Sequence, residues 1–226
     1  SNYFGPAKTG FPFVTDLSSK FRIKFSEPGA YTAEIQIVKK DDNTVLASTG
    51  EVSFNVVPEN VELVSDESGL TSALEDGGYV KLNGNFTVGN TVTISNDATL
   101  DLAGHTLTLN ESALTGASFR DAHNAWILVN GGKVIITDSV GGGKIETTGS
   151  ADKYVICNEE GGTLTLDGGV SVVSTSSTSS AVANYGTLIV NNATVEGGRF
   201  AIAAGQNSAT TVNDGNFSTT TDKGVV

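Results

Sequence analysis

The residue types best suited to binding chemistry in this sequence cluster between Glu111 and Trp126. Phe119, Arg120, Asp121, His123 and Asn124 lie close together, and Trp126 stands just beyond them. An arginine beside an aspartate offers planar donors and acceptors of the kind that sugar hydroxyls need. An aromatic ring offers the flat apolar face on which a sugar ring stacks. Arg120, Asp121, His123 and Trp126 are therefore the candidate ligand-binding residues. The stretch is also the longest interruption between regular strands. It reads more economically as a loop covering one side of the fold, with Arg120 and Asp121 in solvent. Binding residues concentrate on loops of this kind.

A second set of chemically capable residues recurs. Thr137-Asp138, Asp167-Gly168, Asn191-Asn192 and Asn213-Asp214 each follow a short apolar strand. A row of carboxylates could hold calcium or work in pairs across a glycosidic bond. Asp and Asn also satisfy backbone groups at corners and tolerate left-handed conformations. Two of these turns begin with amides, and the dense Asp spacing of a calcium loop is missing. The corner role is the expectation, with no metal, no cofactor and no catalytic residue assigned. His105 sits inside a turn and reads as structural. The single cysteine, Cys157, excludes an internal disulfide and a cysteine-based zinc site. With small partners at Ala183 and Ala203, it reads as packing.

The elements that must position these residues are short strands. Leu100 and Leu102 alternate with polar partners, and Leu107 and Leu109 do so again after Ala103-Gly104. Period-two alternation marks strands with one buried face. Further on, Trp126–Asn130 matches Tyr154–Asn158, then Ser180–Asn184 and, more loosely, Phe200–Ala204. The starts are 28, 26 and 20 residues apart. Second strands follow at 134–136, 164–166, 188–190 and 210–212, and third strands at 144–146, 194–196 and 216–218. Three short strands per repeat of this length read as a parallel β-helix. Two stacks of core-facing residues are expected: Leu128, Ile156, Val182 and Ile202, and Ile136, Leu166, Val190 and Val212. Trp126, Tyr154 and Phe200 should share a column, pointing inward. The Ser/Thr-rich run 174–180 has the composition of a flexible or O-glycosylated stretch, but reads better as a polar third strand with its corner.

Before this array, Leu70, Ala73 and Leu74 fall on one helical face, and Gly77-Gly78 ends the pattern. A helix of about two turns is expected there, covering the open end of the array. Residues 1–57 differ in texture. Phe21–Phe25, Tyr31–Ile37 and Val52–Val56 alternate as half-buried antiparallel strands, with turns at Glu27-Pro28-Gly29 and Asp41-Asp42-Asn43. The domain reading is 1–57 and 58–226.

Residues 61–226 resemble the pectate-lyase-like right-handed parallel β-helix proteins of bacterial cell-surface and adhesin-like type. The resemblance is carried by Leu70-Thr71-Ser72-Ala73-Leu74, Tyr79-Val80-Lys81-Leu82 and Leu100-Asp101-Leu102-Ala103-Gly104-His105-Thr106-Leu107, and by Ile136-Thr137-Asp138-Ser139-Val140-Gly141-Gly142-Gly143-Lys144-Ile145. Residues 1–57 resemble part of a bacterial immunoglobulin-like module. The implied fold class is all-β: a right-handed parallel β-helix with a short N-terminal capping helix, preceded by a small antiparallel sandwich-like segment. The resemblance implies a non-catalytic extracellular or cell-surface module that binds a glycan or a host-surface component. It also leaves open a polysaccharide lyase or glycoside hydrolase, and a phage fibre or tailspike domain.

Composition narrows the partners. The net charge is −12, from 13 basic and 25 acidic residues. That balance cannot supply a wide basic track for phosphate backbones, so nucleic acid is excluded. No apolar run reaches the ~20 residues of a spanning helix, so no membrane insertion is expected. A monomer is expected at ordinary concentration. Gly224-Val225-Val226 reads as the start of another repeat. The natural chain is therefore expected to continue, with end-to-end association of this segment at high concentration.

Overall fold

The computed structural model describes residues 29–39, 41–56, 60–110, 124–148 and 153–221. The chain divides into two compact units, Ser1–Glu59 and Asn60–Val226.

In the first unit, β1 (Gly29–Ala33), β2 (Gln36–Val38), β3 (Val45–Ser48) and β4 (Val52–Val56) form two antiparallel pairs, β1 with β4 and β2 with β3. The expected single strand 31–37 is broken at Glu34-Ile35. There the Ile35 N–H donates to Thr49 Oγ1 at 3.1 Å, and the Ser48 hydroxyl donates to the Glu34 carboxylate. The Asp41–Asn43 turn forms, with Asn43 at φ 53° and the Thr44 N–H donating to Asp42 Oδ1. The expected half-burial is not met in β2, where every residue is exposed; β3, where no strand is expected, is exposed throughout as well. The expected strand Phe21–Phe25 lies outside the described residues.

The second unit opens with β5 (Val61–Val64), α1 (Glu67–Asp76) and β6 (Gly78–Leu82). The helix starts because Asp66 caps it, its carboxylate accepting the Gly69 N–H at 2.8 Å. It stops at Gly77, which takes φ 81°; a Cβ there would sit 2.8 Å from the Asp97 carbonyl oxygen. Leu70, Ala73 and Leu74 are buried, as the periodicity predicts. The helix lies against β5 and β6 and the two strands that follow.

Those are β7 (Phe86–Val88) and β8 (Val92–Ile94), followed by β9 (Ala98–Asp101) and β10 (Thr106–Asn110). Next come β11 (Ala125–Val129), β12 (Lys133–Thr137), β13 (Lys144–Thr148), β14 (Tyr154–Asn158), β15 (Thr163–Leu166) and β16 (Val170–Val173). The last are β17 (Val182–Asn184), β18 (Thr187–Val190), β19 (Ala193–Gly197), β20 (Ile202–Ala204), β21 (Ala209–Val212) and β22 (Asn216–Thr219). From β7 onward the strands are dealt in rotation to three parallel sheets. One has seven strands, ordered β21-β18-β15-β12-β9-β6-β5. A second has six, β22-β19-β16-β13-β10-β7, and a third has five, β20-β17-β14-β11-β8. This mostly-β arrangement is compatible with a solenoid. Residues from all three sheets and from α1 contribute to one buried apolar cluster.

Of the two expected stacks, the second forms in register, but its last member, Val212, is exposed and not buried in the core as expected. Leu100, Ile136, Leu166, Val190 and Val212 are successive register partners, and the first four are fully buried. The first is displaced by one residue in β11. Ile127, not Leu128, pairs with Ile156, which pairs with Val182 and then Ile202. Leu128 instead pairs with Cys157 and is only half-buried. The shift also separates Trp126 from Tyr154, whose partner is Ala125. Trp126 belongs to the main core, whereas Tyr154 belongs to a second, smaller cluster. The expected aromatic column is therefore not built.

The run 174–180 is no strand. The third strand of that repeat is β16, and the Ser/Thr run turns the corner into β17. Ser174, Ser176, Ser179 and Ser180 are buried, which removes them from any flexible or glycosylated role. The corner is pressed against the next repeat so closely that a Cβ on Gly198 would lie 1.5 Å from the Ser176 carbonyl oxygen.

Removing buried atoms from a stacked column leaves a cavity flanked by both neighbouring repeats. Ile127→Ala and Ile156→Ala should each cost ~2–5 kcal/mol, read as a lower urea midpoint at unchanged m. Leu128→Ala should cost clearly less than either. Equal losses at positions 127 and 128 would contradict the register of β11.

Candidate functional site

Of the four candidate residues, Arg120, Asp121 and His123 lie outside the described residues. Trp126 is fully buried, so its ring is enclosed within the protein. The Lys153 Nζ stands 5.6 Å from the centre of that ring. Lys153 is itself only 7% exposed, and burial lowers its pKa from the ordinary lysine value. An ammonium over an indole face recovers part of the hydration it loses.

The segment 111–123 leads into β11, and so into the five-stranded sheet. The side of that sheet away from the main core carries the second apolar cluster. Ala125, Tyr154, Cys157 and Ala183 are buried there, with Leu128 and Tyr185 packed against them. The column Leu128, Cys157, Ala183 and Ala203 runs along it in register. The corresponding column of the six-stranded sheet is mixed, running Thr108, Glu146, Val173 and Glu196. Cys157 is thus packed, between Ala183, as its sequence neighbours imply, and the larger Leu128. Its thiol donates to Glu159 Oε1 at 3.2 Å. Burial, then the hydrogen bond and negative charge of Glu159, push the thiol far above its ordinary pKa. Tyr154 is pushed up to about 12, first by burial and then by Tyr185 beside it; Arg199 pulls the other way. The Arg199 guanidinium lies 5.2 Å from the centre of the Phe200 ring. A Cβ on Gly205 would come within 2.3 Å of the Tyr185 ring, so this glycine lets the ring lie on the backbone. Tyr185, Arg199 and Phe200 are half-buried. Tyr185 packs against the second cluster, whereas Arg199 and Phe200 precede β20 in the chain.

The row of Asp and Asn corners is assembled in register but spent internally. Asp138 accepts the Gly104 N–H at 2.6 Å, the Gly143 N–H at 2.5 Å and the Val140 N–H at 3.4 Å. Asn191 Nδ2 donates to Asp167 Oδ2 at 3.3 Å, and Asn213 Nδ2 to Asn191 Oδ1 at 2.9 Å. Among the described residues, no three of the His, Cys, Asp and Glu side chains are grouped to hold a metal ion.

The densest polar node is one that the sequence pattern did not expose. Asp101 is fully buried. Its Oδ1 accepts the N–H groups of Ala103 and Ser139, both at 2.9 Å. Its Oδ2 accepts the Ser139 hydroxyl at 2.6 Å and the Tyr79 hydroxyl at 3.0 Å, with Lys81 Nζ at 3.5 Å. Burial is the largest influence and would raise its pKa. The donors from Ser139, Ala103 and Tyr79 together outweigh it and hold the carboxyl below its ordinary value. Ser139 has the elements of a nucleophile beside a carboxylate and an ammonium. Both of that carboxylate's oxygens are already saturated, so the node fastens β6, β9 and the corner after β12 together. Only the β6–β9–β12 pairing reveals this node, because Tyr79, Lys81 and Ser139 are remote in sequence from Asp101.

A cleft of about 790 Å³ beside α1 is lined by Glu67, Thr71, Glu75, Thr87 and Thr91 among others. Glu67 Oε1 there already accepts the backbone and side-chain N–H groups of Asn90, at 2.7 and 2.9 Å. Among the described residues, no helix is long and apolar enough to cross a membrane.

Compared with known protein families, with curated proteins and with solved structures, the chain matches none.

A carboxyl with a depressed folded pKa stabilises above its unfolded pKa, ~3.9 for Asp. That stability is lost as pH falls through the folded value. The Asp101 contribution should therefore be constant from pH 7 to about 5 and fade below about pH 4. Asp101→Asn should cost on the order of 3 kcal/mol at pH 7, because the amide turns a donor toward groups that need an acceptor. It should also flatten the acid limb of a stability–pH curve. A variant with the wild-type acid limb would remove Asp101 from this role. Separately, Cys157 should react with a disulfide reagent at pH 8 far more slowly in the native protein than in urea.

Proposed function

We propose that residues 58–226 form a right-handed parallel β-helix, and that the chain is a non-catalytic, adhesin-like module of a bacterial surface or secreted protein. In this reading the module presents a carbohydrate-binding face on the outside of the five-stranded sheet. The observation that carries it is the use of the corner carboxylates. Asp101, Asp138 and Asp167 are committed to backbone N–H groups and to side chains of adjacent repeats. A glycosidase needs one carboxyl free to give a proton and another free to attack or to activate water. Carboxylates held by several donors are poor at both.

The rotation of strands among three parallel sheets supports the β-helix, and the resemblance of 61–226 to pectate-lyase-like proteins supports the surface role. That resemblance rests on the quoted residues alone. Tyr185, Phe200 and Arg199 offer ring faces and a bidentate donor, and 111–123 leads into the same sheet. A partial immunoglobulin-like module in 1–57 fits a chain of linked extracellular domains.

A glycan array read in parallel with a polysaccharide turnover panel tests this proposal. Binding without turnover is expected, with Tyr185→Ala and Arg199→Ala each weakening it by about tenfold or more. Turnover of pectate, alginate or another glycan, abolished by Asp138→Asn or Asp167→Asn, would replace this reading with a β-helix lyase or hydrolase. A stable trimer by native mass would replace it with a fibre or tailspike domain.

A further inference from the structure

The outer face of the seven-stranded sheet carries a repeat that neither the core nor the corners explain. Thr99, Ile135, Thr165, Ile189 and Thr211 are successive register partners across β9, β12, β15, β18 and β21. They alternate with the buried Leu100, Ile136, Leu166 and Val190, so they lie on the opposite side of the strands, and none of the five is buried. All five are β-branched, and such side chains are stiff. All are uncharged, on a chain of net charge −12. Two residues back along the strands, Lys133, Thr163, Thr187 and Ala209 form the neighbouring column. Threonines elsewhere spend their hydroxyls inside the protein, as Thr147, Thr175 and Thr221 do. The hydroxyls of Thr99, Thr163, Thr165, Thr187 and Thr211 have no protein partner among the described residues. The pattern repeats at the strand spacing, about 4.8 Å along each column, with ~7 Å between the two columns. Stacked core residues lie beneath it, and the Asp167–Asn191–Asn213 hydrogen bonds run beside it. Stacks and ladders of this kind keep a sheet flat.

We infer that this face binds ice. The occupant follows from area, charge and side-chain type. Two columns over five strands cover on the order of 300 Å², well short of the ~800 Å² that each partner of a stable protein pair buries. An ionic ligand would find no counter-charge in the middle column. A sugar would find no aromatic ring to stack on between Thr99 and Thr211. The surface of ice is neutral, periodic and unlimited in extent. Its oxygens can bond to a row of free hydroxyls, and its open cages can take the methyl groups of threonine and isoleucine. Each contact is weak, but stiff side chains at a fixed spacing lose little freedom when many contacts form at once. The inference does not depend on the carbohydrate reading, which concerns the five-stranded sheet.

Thermal hysteresis of the 226-residue chain, the gap between melting and freezing points in the presence of a seed crystal, tests the inference. A gap that grows with protein concentration is expected, together with faceted crystals. Thr165→Lys and Ile189→Lys each put a long charged side chain in the middle of the column, and each should shrink the gap several-fold. Thr194→Lys, on the outer side of β19 in the six-stranded sheet, should leave it unchanged. Thermal melts verify that the three variants remain folded. No gap at millimolar protein, a gap indifferent to both column lysines, or one equally sensitive to Thr194→Lys would overturn the inference. So would retention of the chain on an insoluble neutral glycan, lost in Thr165→Lys, with no effect on freezing.

Discussion

Each buried side chain of the parallel sheets rests on the equivalent one in the repeat before it, and the rest of the structure depends on that stacking. No three-strand repeat has enough apolar surface to fold alone. Val190 is buried because Leu166 lies on one side of it and Val212 on the other. Stability in such an array is a sum of neighbour terms. It follows that the ends carry a deficit. Among the described residues, burial falls from Val190 to Val212, the last register partner of that column, while α1 buries Leu70, Ala73 and Leu74 beside the first strands.

Stacking of apolar columns does not by itself settle where a strand stops. The corners do this with polar side chains. Asn158 Nδ2 donates to Asn184 Oδ1 at 2.8 Å and to the Thr187 carbonyl at 3.0 Å; Asn184 repeats the arrangement to the Ala209 carbonyl one repeat later. Both are fully buried. Asp101 and Asp138 do the same work for the earlier corners. A buried amide or carboxylate left without partners costs several times what a made bond returns, so these residues penalise any slipped register. The ladder begins abruptly. Above Asn158 the column holds Val129, and Asn158 Oδ1 is left without a partner.

That change of column type explains where the fold was legible and where it was not. Ile136, Leu166 and Val190 were readable because alternation and spacing agree in every repeat. In β11 they disagree. Asn130 looks like the counterpart of Asn158, and aligning the two puts Leu128 in the core. In the structure Asn130 sits one residue past the ladder, and its N–H bonds to the Ile94 carbonyl. Trp126 and Val155, each just before the paired Ile127 and Ile156, both belong to the main core. The three-residue β7 is not legible, because it precedes the matched repeats that reveal the equally short β17 and β20. The Asp101 node is a product of register. Its donors come from three separate elements, and a local motif cannot encode that convergence.

The division of labour between faces bears on how such a chain could acquire a ligand. Core-facing positions are constrained by two neighbouring repeats each, and corner polar groups by their hydrogen bonds. Outward positions carry neither constraint, so binding chemistry can vary there without disturbing the array. The five-stranded sheet departs from the rest because its outward column, from Leu128 through Cys157 to Ala203, is apolar, and its centre is buried. Burying an outward column needs atoms outside the sheet, and Tyr154 and Tyr185 supply part of them. A face built this way holds aromatic rings and Arg199 in set positions. Surface side chains fixed in this way lose less freedom when anything is placed against them than unpacked ones do.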